Sequence, residues 1–346
     1  MPNITDHSDL QQATLQSFVE NVEPQRTRRL ERVFPVEQTF DINVVYDIIE
    51  KTGIKAASII GFDSGTPLRD KGSIKQAMAK LTKIAHAYHY TEEEMYKYLN
   101  PRSSSEVDAL IRNALISVAD LKEGVEETKE LIRADMVYRG RFDYESPKDN
   151  VKISFDLDLD ENAKITAGDF SRDDVNPLEV LQEQVESYKE NNHLKAPAYM
   201  VMTSRTLSKI KRNPNVILEI YGKDTGRRLV KDSDLQEAFS ELGLPTLEIE
   251  DGHVTIDGIE GDITKQLLED DKVVMHADQL GKTLIGPAAD NNFAIGTYVV
   301  SVVSQDPVGE KTIVGEVAMP VLQNLKGISI LTANEQAEDT PEVPEG

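Results

Sequence analysis

The chain has 346 residues, of which 38 are Lys or Arg and 61 are Asp or Glu, so its formal net charge is −23. A protein this acidic repels DNA phosphates and anionic lipids, so it is expected to be a poor general binder of nucleic acid or of anionic membranes. It contains no Cys, which excludes disulfides, thiol catalysis and thiolate metal sites. The length predicts about two domains or one elaborated fold. No apolar run reaches about 18 residues and the amino terminus is polar, so we expect a soluble protein without a cleaved leader.

Residues 1–35 are predicted to form an arm that lies outside the core. Leu15, Phe18 and Val19 fall on one face of a short helix, which Pro24 ends. A basic cluster follows, made of Arg26, Arg28, Arg29 and Arg32. Two interpretations stay open: a solvated arginine face, or a contact with an acidic surface of another subunit.

The segment 54–90 differs from the rest of the chain in charge and in turn content. It has six basic and two acidic residues, a net charge of +4, and Gly61, Gly65 and Pro67 are among its clustered turn formers. Five of its basic residues are candidates for contacts between subunits: Arg69, Lys71, Lys75, Lys80 and Lys83. The segment is either an ordinary surface hairpin or the complement of an acidic partner, which could be a second copy of the chain.

The clearest periodicity of the chain lies in residues 104–138. Apolar residues recur there at three- and four-residue steps, which predicts an amphipathic helix about 50 Å long with Gly124 as its one weak point. Residues 151–160 then alternate between apolar and polar, with Ile153 and Phe155 on the apolar side. This alternation predicts a half-buried strand.

Residues 166–290 mix helical and strand patterns. Pro177 suits the first turn of a helix, and a short buried strand at 198–202 precedes a helix capped by Thr203. Residues 247–256 are predicted to form a hairpin around Asp251-Gly252, a dipeptide typical of a two-residue type I′ turn.

The carboxyl-terminal part contains two further strand patterns, at 293–303 and 311–322. After them, residues 335–346 have five acidic residues, two Pro and almost no apolar side chain. This composition predicts a disordered tail.

Two patterns are similar to ligand-binding loops but lack residues that such loops need. Residues 281–283 (Gly-Lys-Thr) end like a phosphate loop, yet His276 occupies the place of the first Gly. Three aspartates between 156 and 160 have calcium-loop spacing, yet Glu161 stands where the loop needs Gly. Neither pattern supports a ligand site.

No enzymatic motif was found. His86 and His89 could share a metal, but no third ligand accompanies them. The serine-hydrolase, zinc-protease and dinucleotide-binding signatures are absent. We therefore predict no catalytic residue, no cofactor and no metal ligand.

Three segments of the chain resemble the major capsid protein of tailed bacteriophages, in the major head protein E family typified by phage lambda. They are Ile132–Arg141, Gly243–Gly252 with the following strand Lys272–His276, and Gly281–Pro287. The order of arm, turn-rich excursion, long helix, strand pair and α/β insertion is similar to the HK97-type fold. The likeness spans about residues 30–332.

The resemblance implies an α+β, HK97-type capsid fold. The implied parts are an arm (1–35), an extended loop across a neighbouring subunit (54–90), a peripheral domain (36–53, 91–165 and 293–332) that includes the spine helix (104–138), an axial domain (166–292) and a disordered acidic tail (333–346). The nine basic residues named above would then contact other subunits.

The resemblance also implies a function. Copies would assemble into hexamers and pentamers of an icosahedral shell, which encloses double-stranded DNA without sequence-specific binding. The implied partners are other copies, a scaffold protein, a portal and a decoration protein, with assembly in the host bacterial cytoplasm and a final place in the virion. Lys71 and Lys75 lie where some capsids of this fold form a Lys–Asn cross-link, but the family resembled is not of that kind, so no cross-link is expected.

Two alternatives remain. A non-viral, encapsulin-like nanocompartment shell shares the fold and encloses cargo enzymes. A cytosolic α/β enzyme would have its site in residues 166–292 and would stop at a small closed oligomer. Assembly state therefore separates an enzyme from either shell.

Overall fold

The computed structural model describes residues 7–48, 75–146, 151–223, 226, 228–257, 261–306 and 308–335. Contacts divide the chain into two compact units. The first unit comprises residues 1–46, 76–133 and 281–321, and the second comprises 47–75, 134–280 and 322–346. Most of the predicted extended loop, including Arg69 and Lys71, and the acidic tail from residue 336 lie outside the described residues.

The first half of the chain contains the longest helix. In chain order its elements are α1 (Gln12–Asn21), β1 (Val36–Gln38), β2 (Asn43–Ile48), β3 (Lys75–Lys80), β4 (Thr82–Thr91), α2 (Glu92–Leu99), α3 (Ser104–Ala134), β5 (Arg141–Ser146), β6 (Val151–Asp156) and β7 (Lys164–Gly168).

The second half alternates short helices and strands before ending in long strands. Its elements are α4 (Pro177–Asn191), β8 (Tyr199–Met202), α5 (Ser204–Arg212), α6 (Pro214–Tyr221), α7 (Asp232–Glu241), β9 (Thr246–Ile249), β10 (His253–Asp257), β11 (Asp262–Gln266), β12 (Lys272–His276), β13 (Gly281–Ala288), β14 (Ala294–Ile295), β15 (Tyr298–Gln305), β16 (Val308–Leu322) and β17 (Ile328–Glu335).

The amino-terminal segment belongs to the core of the first unit. Leu10, Leu15 and Val19 are buried and pack in one cluster with α3 residues such as Val118 and Leu121. For residues 7–35, which the structure describes, the prediction that this segment lies outside the core is therefore wrong. The physical reason is the apolar stripe of α1, whose burial is more favourable than leaving it in water.

The predicted long helix is confirmed as α3, which has 31 residues and is about 46 Å long. A π-helical turn, Asp135–Arg139, follows it directly and ends at Gly140, whose φ of 68° lies in the left-handed region. Gly124 does not interrupt the helix. Helix α3 carries charged side chains along its length. Within the described ranges, no helix is both long enough and apolar enough to cross a membrane.

The first unit also contains a six-stranded sheet. Its strands follow the order β1-β13-β16-β15, with β4 paired to β16 and β14 paired to β13. The two strands predicted near the carboxyl end are confirmed as β15 and β16, an antiparallel pair that runs from Tyr298↔Gly315 to Gln305↔Val308.

The second unit contains a five-stranded sheet in the order β7-β17-β12-β8-β9. Helix α4 begins as predicted, with Pro177 in its first turn and the Asn176 side chain accepting a hydrogen bond from the Leu178 amide. Leu181 and Val185 of α4 are buried in the core of this unit together with Met200 and Met202 of β8. The amphipathic pattern therefore placed the correct face of the helix in the core.

The hairpin predicted around Asp251-Gly252 is wrong. Strand β9 pairs in parallel with β8, and β10 pairs antiparallel with β11 instead. In the irregular segment between β9 and β10, the Gly252 amide donates to the Glu250 carboxylate at 2.8 Å. Strand β6 ends at Asp156, earlier than predicted, and forms a ribbon with β5.

Candidate functional site

Two arginines of the predicted basic cluster, Arg26 and Arg28, contact helix α3 of the same chain. The Arg28 side chain is only 1% exposed and donates to Glu123 and, at 2.9 Å, to Glu127. Arg26 forms a second ion pair with Glu127. Burial raises the pKa of the Glu127 carboxyl, and the two guanidinium groups counteract that rise only in part.

Neither interpretation of the cluster anticipated this internal pairing. The signal that could have indicated it is the spacing of Glu123 and Glu127, which places both carboxylates on one face of a helix. Arg29 and Arg32 lie at the short 3₁₀ turn that follows, Arg29 partly buried and Arg32 exposed. Contact of the arginines with another subunit stays a prediction.

Two of the five basic residues predicted in the excursion have side chains that the structure describes. Lys80 is exposed at the end of β3. Lys83 lies on β4, where its Nζ is 2.6 Å from the Asp290 carboxylate and 5.9 Å from the centre of the Tyr298 ring. The hydrogen bond between Lys83 and Asp290 raises the pKa of Lys83 and lowers that of Asp290. Lys75 begins β3, and its side chain lies outside the described set.

Strands β2 and β3 form a two-stranded ribbon with exposed apolar side chains. We use the name apolar ribbon residues for Val45 on β2, Met78 on β3, and Phe40 and Ile42, which lie just before β2. Phe40 is 86% exposed, Met78 75% and Val45 58%. A two-stranded ribbon is marginally stable by itself, and clustered exposed apolar groups usually mark an interaction surface. Sequence reasoning missed these residues because their pattern also fits an ordinary half-buried strand.

The rejected ligand-binding patterns are parts of ordinary strands. Gly281–Thr283 is the start of β13, and Asp156 is the last residue of β6. His86 and His89 are three positions apart on β4, so they point to opposite faces of the strand. In the part of the chain that the structure describes, no three His, Asp or Glu residues are arranged to hold a metal ion.

A groove of about 280 Å³ between α6 and α7 is a pocket that the enzyme alternative could use. Its polar lining consists of Glu219, Asp234, Glu237 and Glu241 with the Tyr221 hydroxyl, which donates to Asp234. The remaining lining is apolar. This groove therefore offers neither a nucleophile activated by a neighbouring base nor a cation to stabilise developing negative charge.

The solved structures that resemble this chain include the following two. One is a protein assigned to the capsid of a prophage in Escherichia coli CFT073, with 14% identity, a TM-score of 0.52 and coverage of 75% of this chain and 79% of that one. The other is a phage-related protein from Bordetella bronchiseptica RB50, with 11% identity, a TM-score of 0.52 and coverage of 92% and 96%. At these identities the likeness shows the fold. No curated protein sequence is significantly similar to the chain.

Residues 11–333 match the family described as phage major capsid protein E. This is a family of structural proteins, so the prediction that the chain is not an enzyme is confirmed and the α/β-enzyme alternative is wrong. The match to a phage family also favours a phage shell over a nanocompartment. The predicted α+β, HK97-type fold is confirmed. The chain belongs to the phage major capsid protein E family and is a major capsid protein.

Proposed function

We propose that copies of this major capsid protein associate as hexamers and pentamers, which close an icosahedral shell around double-stranded DNA. The observation that carries the proposal is the set of apolar ribbon residues, which a single copy leaves in water. Covering such side chains with a second copy stabilises the contact by about 25 cal/mol for each Å² of apolar surface removed from water. A member of a self-assembling family has that second copy available.

The parts of the proposed subunit follow from the resemblance described above. Residues 1–35 are an arm whose described part packs on α3 of the same chain. Residues 54–90 are the extended loop and 166–292 the axial domain, while 36–53, 91–165 and 293–332 form the peripheral domain. Helix α3 and the six-stranded sheet of the first unit support a peripheral domain built on a spine helix. Residues 134–165 and 322–332 belong to the second compact unit, a division that differs from these proposed boundaries.

Charge contributes to the proposed contacts through the basic excursion. The segment 54–90 carries +4 in a chain of −23, and Lys80 and Lys83 are its described cations. Exposed ion pairs are worth about 0–1 kcal/mol each and are screened by salt. Assembly should therefore weaken as NaCl rises from about 0.05 to about 1 M, followed by light scattering. Unchanged scattering across the titration would contradict the charge-complementarity part of the proposal.

The negative net charge of the chain is compatible with a shell that encloses DNA. A strongly basic inner wall would bind the genome and impede its packaging, whereas a mildly repulsive wall lets DNA move inward. The proposed partners beyond other copies are a scaffold protein, a portal and a decoration protein. Assembly is proposed to take place in the cytoplasm of the host bacterium.

Negative-stain electron microscopy of the purified chain, expressed alone and with neighbouring genes, tests the proposal. Closed shells, tubes, hexamers or pentamers are the expected result. A monodisperse dimer or tetramer in both preparations would overturn it. Shells that enclose a cargo enzyme in place of DNA would support the nanocompartment alternative.

A further inference from the structure

Two exposed apolar side chains sit on unusual backbone. Among the described residues, five that are not glycine have positive φ, and four of them form two consecutive pairs. The pairs are His193-Leu194, with φ of 54° and 62°, and Asn292-Phe293, with φ of 51° and 63°. In each pair the second residue is large, apolar and exposed: Leu194 by 82% and Phe293 by 70%.

The two turns hold these residues by backbone hydrogen bonds. The Leu194 amide donates to the carbonyl of Lys189 at 2.7 Å, just after α4. The Phe293 amide donates to the carbonyl of Ala288 at 2.8 Å, between β13 and β14. Left-handed backbone is unfavourable for bulky residues and favourable for Gly or Asn. A single copy thus keeps two apolar residues in a strained backbone conformation without burying either side chain. This strain points to a contact with another molecule.

The sequence that begins just before each residue and continues past it is poor in charge. Residues 291–305 contain no Asp, Glu, Lys or Arg, and residues 191–204 contain only Lys195. Charged residues make up 29% of the whole chain. Copies with a net charge of −23 repel each other, and their approach is least opposed where surfaces are uncharged. The cores of protein–protein interfaces are likewise depleted of charged residues.

We propose that Leu194 and Phe293 are apolar anchors, each inserting into an apolar recess on a second copy of this chain. A second copy is the occupant because the family builds its shell from copies of one protein. The inference rests on the proposed function and adds two specific residues to it. These anchors lie apart in sequence from the apolar ribbon residues and from the basic excursion.

The variants Leu194→Asn and Phe293→Asn test the anchors in the full chain. Asn adopts left-handed backbone more readily than Leu or Phe, so each variant should melt at the wild-type temperature or slightly above it. Each should raise the critical concentration for shell assembly about tenfold or more, since burial of one such side chain is lost. Leu194→Met, which keeps an apolar side chain of similar size, should assemble like the wild type.

Leu229→Asn is the matched control. Leu229 is 48% exposed, does not have positive φ and has Arg228 and Lys231 close by in sequence. It should leave assembly unchanged. An anchor variant that assembles at the wild-type critical concentration overturns the proposal for that residue, and so does one whose melting temperature falls, because the side chain then stabilises the protomer. Failure of the wild type itself to assemble would instead count against the proposed function.

Discussion

The side-chain amide of Gln16 pairs with the backbone around Val299 as an additional strand would. Gln16 Oε1 accepts from the Val299 amide at 2.9 Å, and Gln16 Nε2 donates to the carbonyl of Thr297 at 2.9 Å. Strand β15 has β16 as its only strand neighbour within the described ranges. Helix α1 therefore satisfies and covers a sheet edge that would otherwise be open to pairing with another chain.

Replacing Gln16 by Ala should lower the free energy of unfolding by about 1–3 kcal/mol, because both hydrogen bonds are lost and the amide of buried Val299 is left without this partner. Gln16→Glu keeps an acceptor for the Val299 amide but places a carboxylate oxygen against the Thr297 carbonyl and the Glu20 carboxylate, so it should also destabilise the protein. Gln11→Ala is the control: Gln11 is exposed, its side chain does not cap α1, and its removal should cost less than about 0.5 kcal/mol. Equal urea midpoints for Gln16→Ala and Gln11→Ala would contradict the role of this pairing.

Lys129 provides a second prediction, because its charge is buried in the first unit. Its Nζ lies 2.6 Å from Glu316 and 2.7 Å from Glu126, and the side chains of Lys129 and Glu316 are each 4% exposed. Lys129→Met leaves the Glu316 carboxylate buried without this cation and should destabilise the protein by about 3–5 kcal/mol.

Lys97→Met is the matched control for this buried pair. Lys97 forms an exposed i,i+4 pair with Glu93, and its loss should change the unfolding free energy by less than about 0.5 kcal/mol. Urea denaturation followed by circular dichroism compares the two variants. Similar midpoints would show that the buried pair does not stabilise the fold in the way its geometry indicates.

Two glycines of the first unit should respond in opposite directions to substitution by Ala. A Cβ at Gly281 would lie 2.0 Å from the backbone oxygen of Val321, so Gly281→Ala must push two strands apart and should cost about 3 kcal/mol or more. A Cβ at Gly124, inside α3, would meet nothing closer than 3.9 Å. Gly124→Ala should stabilise the protein by about 0.5–1 kcal/mol. Thermal melts that shift in the same direction for both variants would refute this contrast.

Protonation of Glu269 should account for part of the acid sensitivity of the second unit. Burial by itself would raise the pKa of Glu269, but hydrogen bonds and charges from Lys272 and Arg139 outweigh it and lower the pKa to about 2. Because the folded pKa lies below the ordinary value of 4.5, the stabilisation is present above about pH 4.5 and is lost as the pH falls towards 2. The side chain is 48% exposed, so solvent screening limits this contribution to about 1 kcal/mol.

Urea denaturation measured at several pH values checks this sign. Glu269→Gln should flatten the decline in stability between about pH 4.5 and 2, because the amide cannot take up the proton. Lys272→Met, which removes one donor, should raise the folded-state pKa of Glu269 towards 4.5, so the decline should be smaller and should end at a higher pH than in the wild type. A decline as steep in Glu269→Gln as in the wild type would show that other carboxylates dominate the acid transition.

Local patterns in the sequence predicted the long helix, the start of α4 and the strands β15 and β16, because hydrogen bonds and side-chain periodicity within a few residues specify such elements. The three segments that resemble the capsid family predicted the fold class and the function. The hairpin at Asp251-Gly252 failed for the opposite reason. Its turn residues were suitable, but β9 found a better partner in β8, more than 40 residues earlier in the chain.

Composition, periodicity and family resemblance by themselves determined that this is an acidic, α+β capsid protein with a long helix and without thiol chemistry. Only the tertiary structure decided which charged residues form ion pairs within the protomer and which apolar side chains remain exposed on its surface. Arg28 meets Glu123 across 95 positions, and Gln16 meets Val299 across 283. Pairings this distant depend on how packed elements bring residues together, and no local pattern encodes them. The same packing leaves Leu194 and Phe293 exposed, because backbone direction at a turn depends on the elements that the turn connects.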